Sequence, residues 1–519
     1  MFFYLGISSY SFSQYAEKTF NNEGISFVQI DGKWYELDAD GKKKFRVNRN
    51  VITVKFKNNA SNKLIDSIIS KFNVEIIREN PIGYIDLKLS TPDSVINTLK
   101  AFKNSDICNY AQLDGFMESH RYSDDSLYNE QWYLETIYMP YAWNYETGSS
   151  DIVMCIIDTG IDWLHEDLGK GDDNYQNIWT NPGEDEWTNP SLPSTGNGID
   201  DDNNGYIDDW KGWDFDFGDN DSRSNDPHGT SVAGIASAKT DNNGVGISGL
   251  AGGFSGEGVQ LMPLCVGDYD SISTSTIDDA IYYATDNGAD IINISLGGGY
   301  KSYIDSALLY AYNNDVLIVA ATGNDNRNYV EFPARHEKVL AVGATDTNDQ
   351  RWVANTVNGS NYGSQLDVSA PGSNMYTTRP NDRYLNVGSG TSLSAPIASG
   401  LAGLLLSYDN ALSLLNLNKL ITLTADKVGG YSYTNGRCDT IGYGRINAEC
   451  AFYHLDNPLQ LSSTLSGNYK RFFIDIENAA IENSDNVTIT GSDITIDGTF
   501  EVEIGGVFEI KNSNDFSCQ

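Results

Sequence analysis

Histidine is scarce in this chain, five residues in 519. No His-Glu-x-x-His pair occurs, so the sequence offers no ready ligand set for a catalytic zinc. Basic residues are scarce too: 34 Lys and Arg stand against 71 Asp and Glu, a formal charge of −37. So acidic a chain lacks the electrostatic footprint for nucleic acid or for an anionic membrane surface, and the imbalance favours solubility and cation binding instead. A solvated acidic surface and an adaptation to salt both accommodate it. Nowhere does an apolar run approach the roughly 18 to 20 residues that cross a bilayer, so no membrane span is expected. Six cysteines fit export only loosely. Cys155 and Cys265 lie in apolar runs and read as small buried hydrophobes. Cys438 and Cys450 flank Gly442-Tyr443-Gly444-Arg445 and are the best disulfide candidates in an oxidising compartment, while Cys108 and Cys518 carry no assignment.

What the chain does have is three short polar motifs, each held by glycine, in a fixed order. Asp158-Thr159-Gly160 follows the apolar run Ile152-Val153-Met154-Cys155-Ile156-Ile157, His228-Gly229-Thr230-Ser231 comes next, and Gly390-Thr391-Ser392-Leu393-Ser394-Ala395-Pro396 comes last. Singly, each reads as an ordinary turn or loop. Together they supply the parts of a nucleophilic hydrolase. A serine hydroxyl is a poor nucleophile at neutral pH, so it needs a neutral imidazole to take its proton and a carboxylate to fix that imidazole's tautomer. Asp158 would orient, His228 would serve as base and then acid, and Ser392 would attack. His120, His165, His336 and His454 have no comparable setting and read as structural or solvent-facing.

At these residues the chain resembles the subtilases, the subtilisin-like serine proteases, whose chain order is likewise Asp, His, Ser. The resemblance runs on through Asn293-Ile294-Ser295-Leu296-Gly297-Gly298, Ala321-Thr322-Gly323-Asn324, Asp367-Val368-Ser369-Ala370-Pro371-Gly372 and Gly442-Tyr443-Gly444-Arg445-Ile446-Asn447, and covers roughly residues 127–455. Ser231 stands where the family usually has a second His, Thr322 where it usually has Ala, and Ile397 where His often follows the Pro; none is a triad member. The resemblance implies that the Asn324 amide and the Ser392 backbone N–H form an oxyanion hole. It further implies that Ser295-Leu296-Gly297 binds peptide backbone as a strand edge, with Thr322 lining the same cleft. The segment Val330-Glu331-Phe332-Pro333 aligns with the family stretch whose second residue, frequently Gly, floors the P1 pocket. Glu331 in that place would favour a P1 Arg or Lys; a Glu331 rotated into solvent would not.

Organisation follows from pattern. Near-continuous apolar strands such as Asp290-Ile291-Ile292-Asn293-Ile294 alternate with helical stretches, which predicts an α/β subtilisin-like three-layer fold with a mostly parallel sheet. Residues 1–13 read as a truncated signal peptide, with a buried strand as the alternative, and 14–50 as an N-terminal segment. Residues 51–120 read strand, helix, strand, helix, a small α+β unit whose place just upstream resembles the family's propeptide; a permanent accessory domain fits the same pattern. The polar connector 117–126 is the expected cleavage point. The catalytic domain would span 121–455, and 456–519 reads as a short all-β tail.

Calcium is the expected cofactor, at two places. Asp200, Asp202, Asn204, Tyr206 and Asp208 occupy alternate positions around Gly205, the spacing of the first part of a calcium loop, although Lys211 stands where an EF-hand has its bidentate Glu. By family analogy Asp167 and Asn243, with the carbonyls of Asp241, Val245 and Ile247, match a structural calcium site. A solvated acidic turn and a Gly-rich surface loop are the corresponding alternatives. The expectation is a monomeric, secreted or cell-surface endopeptidase made as a zymogen, with protein or peptide substrates and its own propeptide as partners. Peptide ligation by the same acyl-enzyme, or an inactive adhesive protein on this scaffold, are the other readings.

Overall fold

The structure is a computed structural model describing residues 18–518 apart from 23–24, 31–32, 38–42, 58–59, 80–82, 90–94, 116–120, 170–176, 255, 269–270, 457–458, 465–466, 471–472, 482–485, 503–506 and 513–515. The signal-like stretch 1–13 and residues 117–120 of the connector lie outside the described residues. Two compact units emerge, Met1–Ser119 and His120–Cys518.

In the larger unit seven strands lie in the order Val368–Pro371, Val339–Thr345, Leu317–Ala321, Ile291–Ile294, Val153–Asp158, Gln260–Cys265 and Trp213–Asp214, every neighbouring pair parallel. Successive residues of a strand face opposite layers. Cys155 and Ile157 share a core with Ile277, Ala280, Ile281 and Ala284 of the helix Thr274–Asp286 and with Ile304, Ala307 and Leu308 of Ser302–Asn313. The 277/280/281/284 spacing is one face of a helix, which is why that segment coils and lies on the sheet. Met154, one residue out of phase, sits against Gly403 of the helix Thr391–Tyr408 on the other face. Asp158 has the parity of Met154, so it falls on the side of Thr391–Tyr408 and of Pro227–Ser237, which packs against it. The strand Val153–Asp158 comes first in this sheet yet lies inside it: the chain next adds two strands on one side, then crosses to the other. Such a switch point opens a crevice at the carboxyl ends of the strands, and Asp158 closes its strand there.

The smaller unit is one antiparallel sheet built on the long strand Lys43–Phe56, with helices Asn62–Phe72 and Val95–Lys103. Its core gathers Ile52, Val54, Leu87, Leu99 and Phe102. Residues 18–50 are no separate segment: Lys18–Asn22, Ile25–Ile30 and Lys33–Leu37 form a meander that ends on the first half of Lys43–Phe56.

Beyond residue 458, strands alternate between two parallel sheets. Leu459–Thr464, Phe473–Ile481 and Asp493–Val502 make one, and Gly467–Lys470, Asn486–Gly491 and Val507–Asn512 the other, so each coil adds a strand to both, as in a solenoid. Gly498 lies inside the strand Asp493–Val502. The disulfide also differs from expectation: Cys450 pairs with Cys518, and Cys438 is a free thiol. Packing decides this. Phe516 is wholly buried, donates its N–H to Leu423 O and accepts from His454 Nε2 at 2.9 Å, which brings the tail onto the helix Ala448–Asp456 that carries Cys450.

Candidate active site

Two neighbouring elements join Asp158 to His228. The helix Pro227–Ser237 starts where its sequence says it should, with Asp226 as N-cap accepting the His228 N–H at 2.9 Å and Pro227 at the first helical position. That start holds His228 in the first turn, where its Nδ1 lies 2.7 Å from Asp158 Oδ1. Asp158 is fully buried and its Oδ1 also accepts the Thr159 N–H. Gly229 is required at the contact, because a Cβ there would overlap the Gly160 carbonyl. Burial works against the imidazolium, but the Asp158 charge and hydrogen bond, with Asp226 behind, outweigh it and hold the His228 pKa above its usual value; Arg379 pulls weakly the other way.

Ser392 is the second residue of Thr391–Tyr408. Pro396 lies four residues further on and has no N–H, so the Ser392 carbonyl loses its helical donor. Ser295 supplies one instead, its hydroxyl reaching that carbonyl at 2.9 Å while accepting from Asn293 Nδ2 at 2.9 Å. Thus the buried Ser295 side chain is spent on anchoring the Ser392 turn, and only its main chain is left to the strand edge. Asn324 follows the strand Leu317–Ala321. Its Oδ1 accepts the Thr391 N–H at 2.8 Å and the Thr391 hydroxyl at 3.0 Å, which fixes the amide and leaves Nδ2 as its donor. Gly390 lies between: a Cβ there would come within 3.3 Å of Ser392 Oγ and 3.4 Å of Asn324 Nδ2.

Exposure rises along the expected substrate edge, from buried Ser295 through half-buried Leu296 to exposed Gly297. Thr322 is turned inward, its hydroxyl on Asn361 O at 3.3 Å, so its side chain does not face the cleft. Glu331 is half-buried rather than rotated into solvent. Its N–H binds Thr322 O at 3.0 Å, and Gly298 pairs with Phe332 in both directions, which lays the Glu331 side chain over Gly297 and Gly323. Any side chain at either glycine would collide with it. Burial, the Asp325 carboxylate and a hydrogen bond with it raise the Glu331 pKa, against the lowering influence of Arg327. Asp325 was not marked by the sequence; it directly follows Asn324, and nothing in its spacing points to Glu331.

The profile of the subtilase family matches residues 149–444. A thermophilic serine proteinase of Bacillus sp. (strain AK1) is 33% identical over 74% of this chain and 78% of its own length. Thermitase of Thermoactinomyces vulgaris is 34% identical over 59% of this chain and 92% of its own, and halolysin of Haloferax mediterranei 33% over 72% and 64%. The chain belongs to the subtilase family. It is a subtilisin-like serine endopeptidase.

In this subtilase the loop expected to hold calcium at alternate positions engages several of its oxygens in local hydrogen bonds. The Asp200 carboxylate accepts the N–H groups of Asn204 and Gly205, and that of Asp208 accepts Gly198 N–H at 2.9 Å. The Tyr206 ring joins Trp213, Phe215 and Tyr283 in an aromatic cluster, and Asn204 uses its amide to bridge Asp202 and Asp209. Of the five, only Asp202 meets other acids, Glu184 and Asp209, neither of them foreseen. At the second loop Asp167 is fully buried, but Asn242 rather than Asn243 reaches it, Nδ2 to Oδ1 at 2.8 Å, with Ile247 N–H on Oδ2 at 2.9 Å. Asp125 joins from another segment, accepting from the backbone of Asp241 and Asn242 and from the Ser248 hydroxyl. Burial drives the Asp167 pKa well up, and Asp125 adds to it. The Asn242 Oδ1 atom is buried with no hydrogen-bond partner, as a cation ligand would be before its ion arrives. Hard oxygen donors of this kind fit calcium.

Proposed function

We propose that this subtilase is exported, is made as a zymogen, and cleaves peptide bonds through an acyl-enzyme on Asp158, His228 and Ser392. The reading is carried by the 2.7 Å contact of His228 Nδ1 with the buried Asp158 Oδ1. A carboxylate there keeps the proton on Nδ1 and makes the unprotonated Nε2 the accepting atom. Ser392 Oγ attacks the scissile carbonyl carbon as its proton passes to His228 Nε2. The oxyanion is met by Asn324 Nδ2 and the Ser392 N–H, the latter at a helix N-terminus that favours negative charge. Collapse expels the amine with the proton from His228, and water, activated by the same imidazole, hydrolyses the ester. Leu296 and Gly297 hold the substrate main chain, and Glu331 selects a basic P1 side chain by charge pairing in a partly desolvated setting.

The unit up to Ser119 acts as the propeptide, removed by cleavage within residues 117–126. Export is supported by the Cys450–Cys518 disulfide, since such bonds persist in oxidising compartments. Calcium at Asp125, Asp167 and Asn242 would supply the positive charge those oxygens lack, and it serves stability rather than a chemical step. A fluorophosphonate probe should label the wild type and not Ser392→Ala, casein should be cut only by the wild type, and the purified Ser392→Ala chain should keep its N-terminal unit. Labelling of the alanine variant, or its maturation in the absence of other proteases, would overturn this reading.

A further inference from the structure

Between the Asp158 strand and the His228 helix, two segments of the acidic insert meet. Asn181-Pro182-Gly183-Glu184 lies against the stretch from Asp202 to Asp209, and one carboxylate oxygen from each of Glu184, Asp202 and Asp209 falls within 4.8 Å of the others. The approach depends on Gly183, where a Cβ would come within 2.6 Å of the Asp202 side chain. Glu184 is 7% exposed and Asp209 fully buried. Neutral donors hold the outer sides of the cluster. Asn181 Nδ2 reaches Asp202 Oδ2 at 2.9 Å and Asp209 Oδ1 at 3.1 Å, Asn204 Nδ2 reaches Asp209 Oδ2 at 3.0 Å, and the Tyr283 hydroxyl also donates to Asp209. Asp201 N–H binds Glu184 Oε1 at 2.8 Å.

What is missing is a positive charge. Among the described residues no Lys or Arg pairs with any of the three. Lys211, the base nearest in sequence, gives its ammonium to Pro190 O and to the rings of Trp163 and Trp210. Glu184 Oε2 is buried with no hydrogen-bond partner at all. Burial, with the charges of Asp209 and Asp202, pushes the Glu184 pKa up to about 7. Converging buried carboxylates are tolerated when they share a proton or hold a cation.

We infer that Glu184, Asp202 and Asp209 form a binding site for a divalent cation of the calcium class, separate from the Asp167 loop, which fastens the two segments of the insert together. All-oxygen, carboxylate-rich ligation selects hard cations, and a covered site suits calcium better than magnesium, which gives up its waters reluctantly. Through the Tyr283–Asp209 bond the ion would also tie the insert to the helix Thr274–Asp286.

The test uses the full chain carrying Ser392→Ala, which prevents autolysis, stripped with EGTA and titrated with calcium alone. Bound ions are counted by equilibrium dialysis and melting is followed with calcium and with EGTA. Adding Glu184→Gln should remove one bound ion per chain and shrink the calcium-induced rise in Tm. In EGTA its Tm should equal or exceed the parent's, because an unbalanced buried charge has gone. Asp202→Asn should remove the same ion, and Asp200→Asn should keep it. An unchanged ion count in Glu184→Gln overturns the site, as does loss of the ion in Asp200→Asn alone. A Glu184→Gln chain melting well below the parent in EGTA overturns it too, since the carboxylate would then be held by the protein itself.

Discussion

Asp158, Glu184 and Asp209 are buried carboxylates and Asp202 beside the last two is half-buried, yet among these four only Asp158 faces a side chain able to carry positive charge. The first arrangement joins two adjoining elements, a strand end and a helix start, and the imidazole brought by the helix gives the carboxylate its partner. The second draws acids from two segments of an irregular insert, with amides and a phenol around them but no base. A third case sharpens the contrast: fully buried Asp426 meets Arg445 at 2.7 Å, and Arg445 also meets Asp349 at 2.5 Å. A buried carboxylate needs a counter-charge, a proton or a set of donors, and a counter-charge is either carried by the chain or taken from solution.

The largest expected break in this comparison is Asp158→Asn, which keeps the shape but holds His228 in the wrong tautomer. It should lower kcat by about 10,000-fold while leaving the count of bound calcium ions unchanged. Peptide hydrolysis normalised by active-site titration measures it, and a fall of less than tenfold would remove Asp158 from the proposed relay. Next comes Arg445→Met, which leaves Asp426 without its cation and should cost about 3–5 kcal/mol in urea unfolding at saturating calcium. A loss under about 1 kcal/mol would show that Asp426 is satisfied by its other neighbours, such as Asn447 Nδ2 at 2.8 Å.

Glu331→Gln should reduce kcat/KM for P1 Lys and Arg substrates roughly tenfold, the lower end for a charge-assisted contact in a half-open site, and leave P1 Leu or Phe substrates little altered. Equal losses across a P1 library would mean that Glu331 shapes the cleft without choosing its occupant. The mildest effect is on pH. The His228 pKa lies above its ordinary value, so kcat/KM should rise with pH through that raised value, as the base becomes neutral. The stabilisation from the protonated His228–Asp158 pair runs the opposite way: it is fully present below the unfolded pKa of about 6.5 and is lost as pH climbs through the folded one. Asp226 supports the shift and Arg379 opposes it, so Asp226→Asn should move the activity limb to lower pH. A limb that stays in place would exclude Asp226 from the balance.

Legibility in the sequence tracked the distance over which each constraint acts. Asp158, His228, Ser392 and Asn324 were readable because each lies in its own short motif. A glycine marks a close approach at 229 and 390, an Asp-Pro start marks the helix at 227, and apolar runs mark strands buried on both faces. The helix face 277/280/281/284 was readable for the same reason. The calcium loop was legible only as alternation: its Asp200 and Asp208 oxygens answer local backbone N–H groups, while its Asp202 meets Glu184 and Asp209, which no spacing marks. Cys518 was invisible as a partner, because only burial of Phe516 beneath His454 brings it to Cys450.

By itself, then, the amino-acid order determined the family, the parallel sheet, the candidate relay residues and the polarity of the surface, since these rest on residue type, periodicity and turns of a few residues. Tertiary structure alone decided which carboxylates share a site: Glu184 with Asp202 and Asp209, Asp125 with the Asp167 loop, Asp325 with Glu331. It also turned Ser295 and Thr322 away from the cleft. Local pattern specifies how a segment folds, but the counter-charge or donor of a buried group comes from whatever segment packing brings alongside, and no spacing along the chain records that.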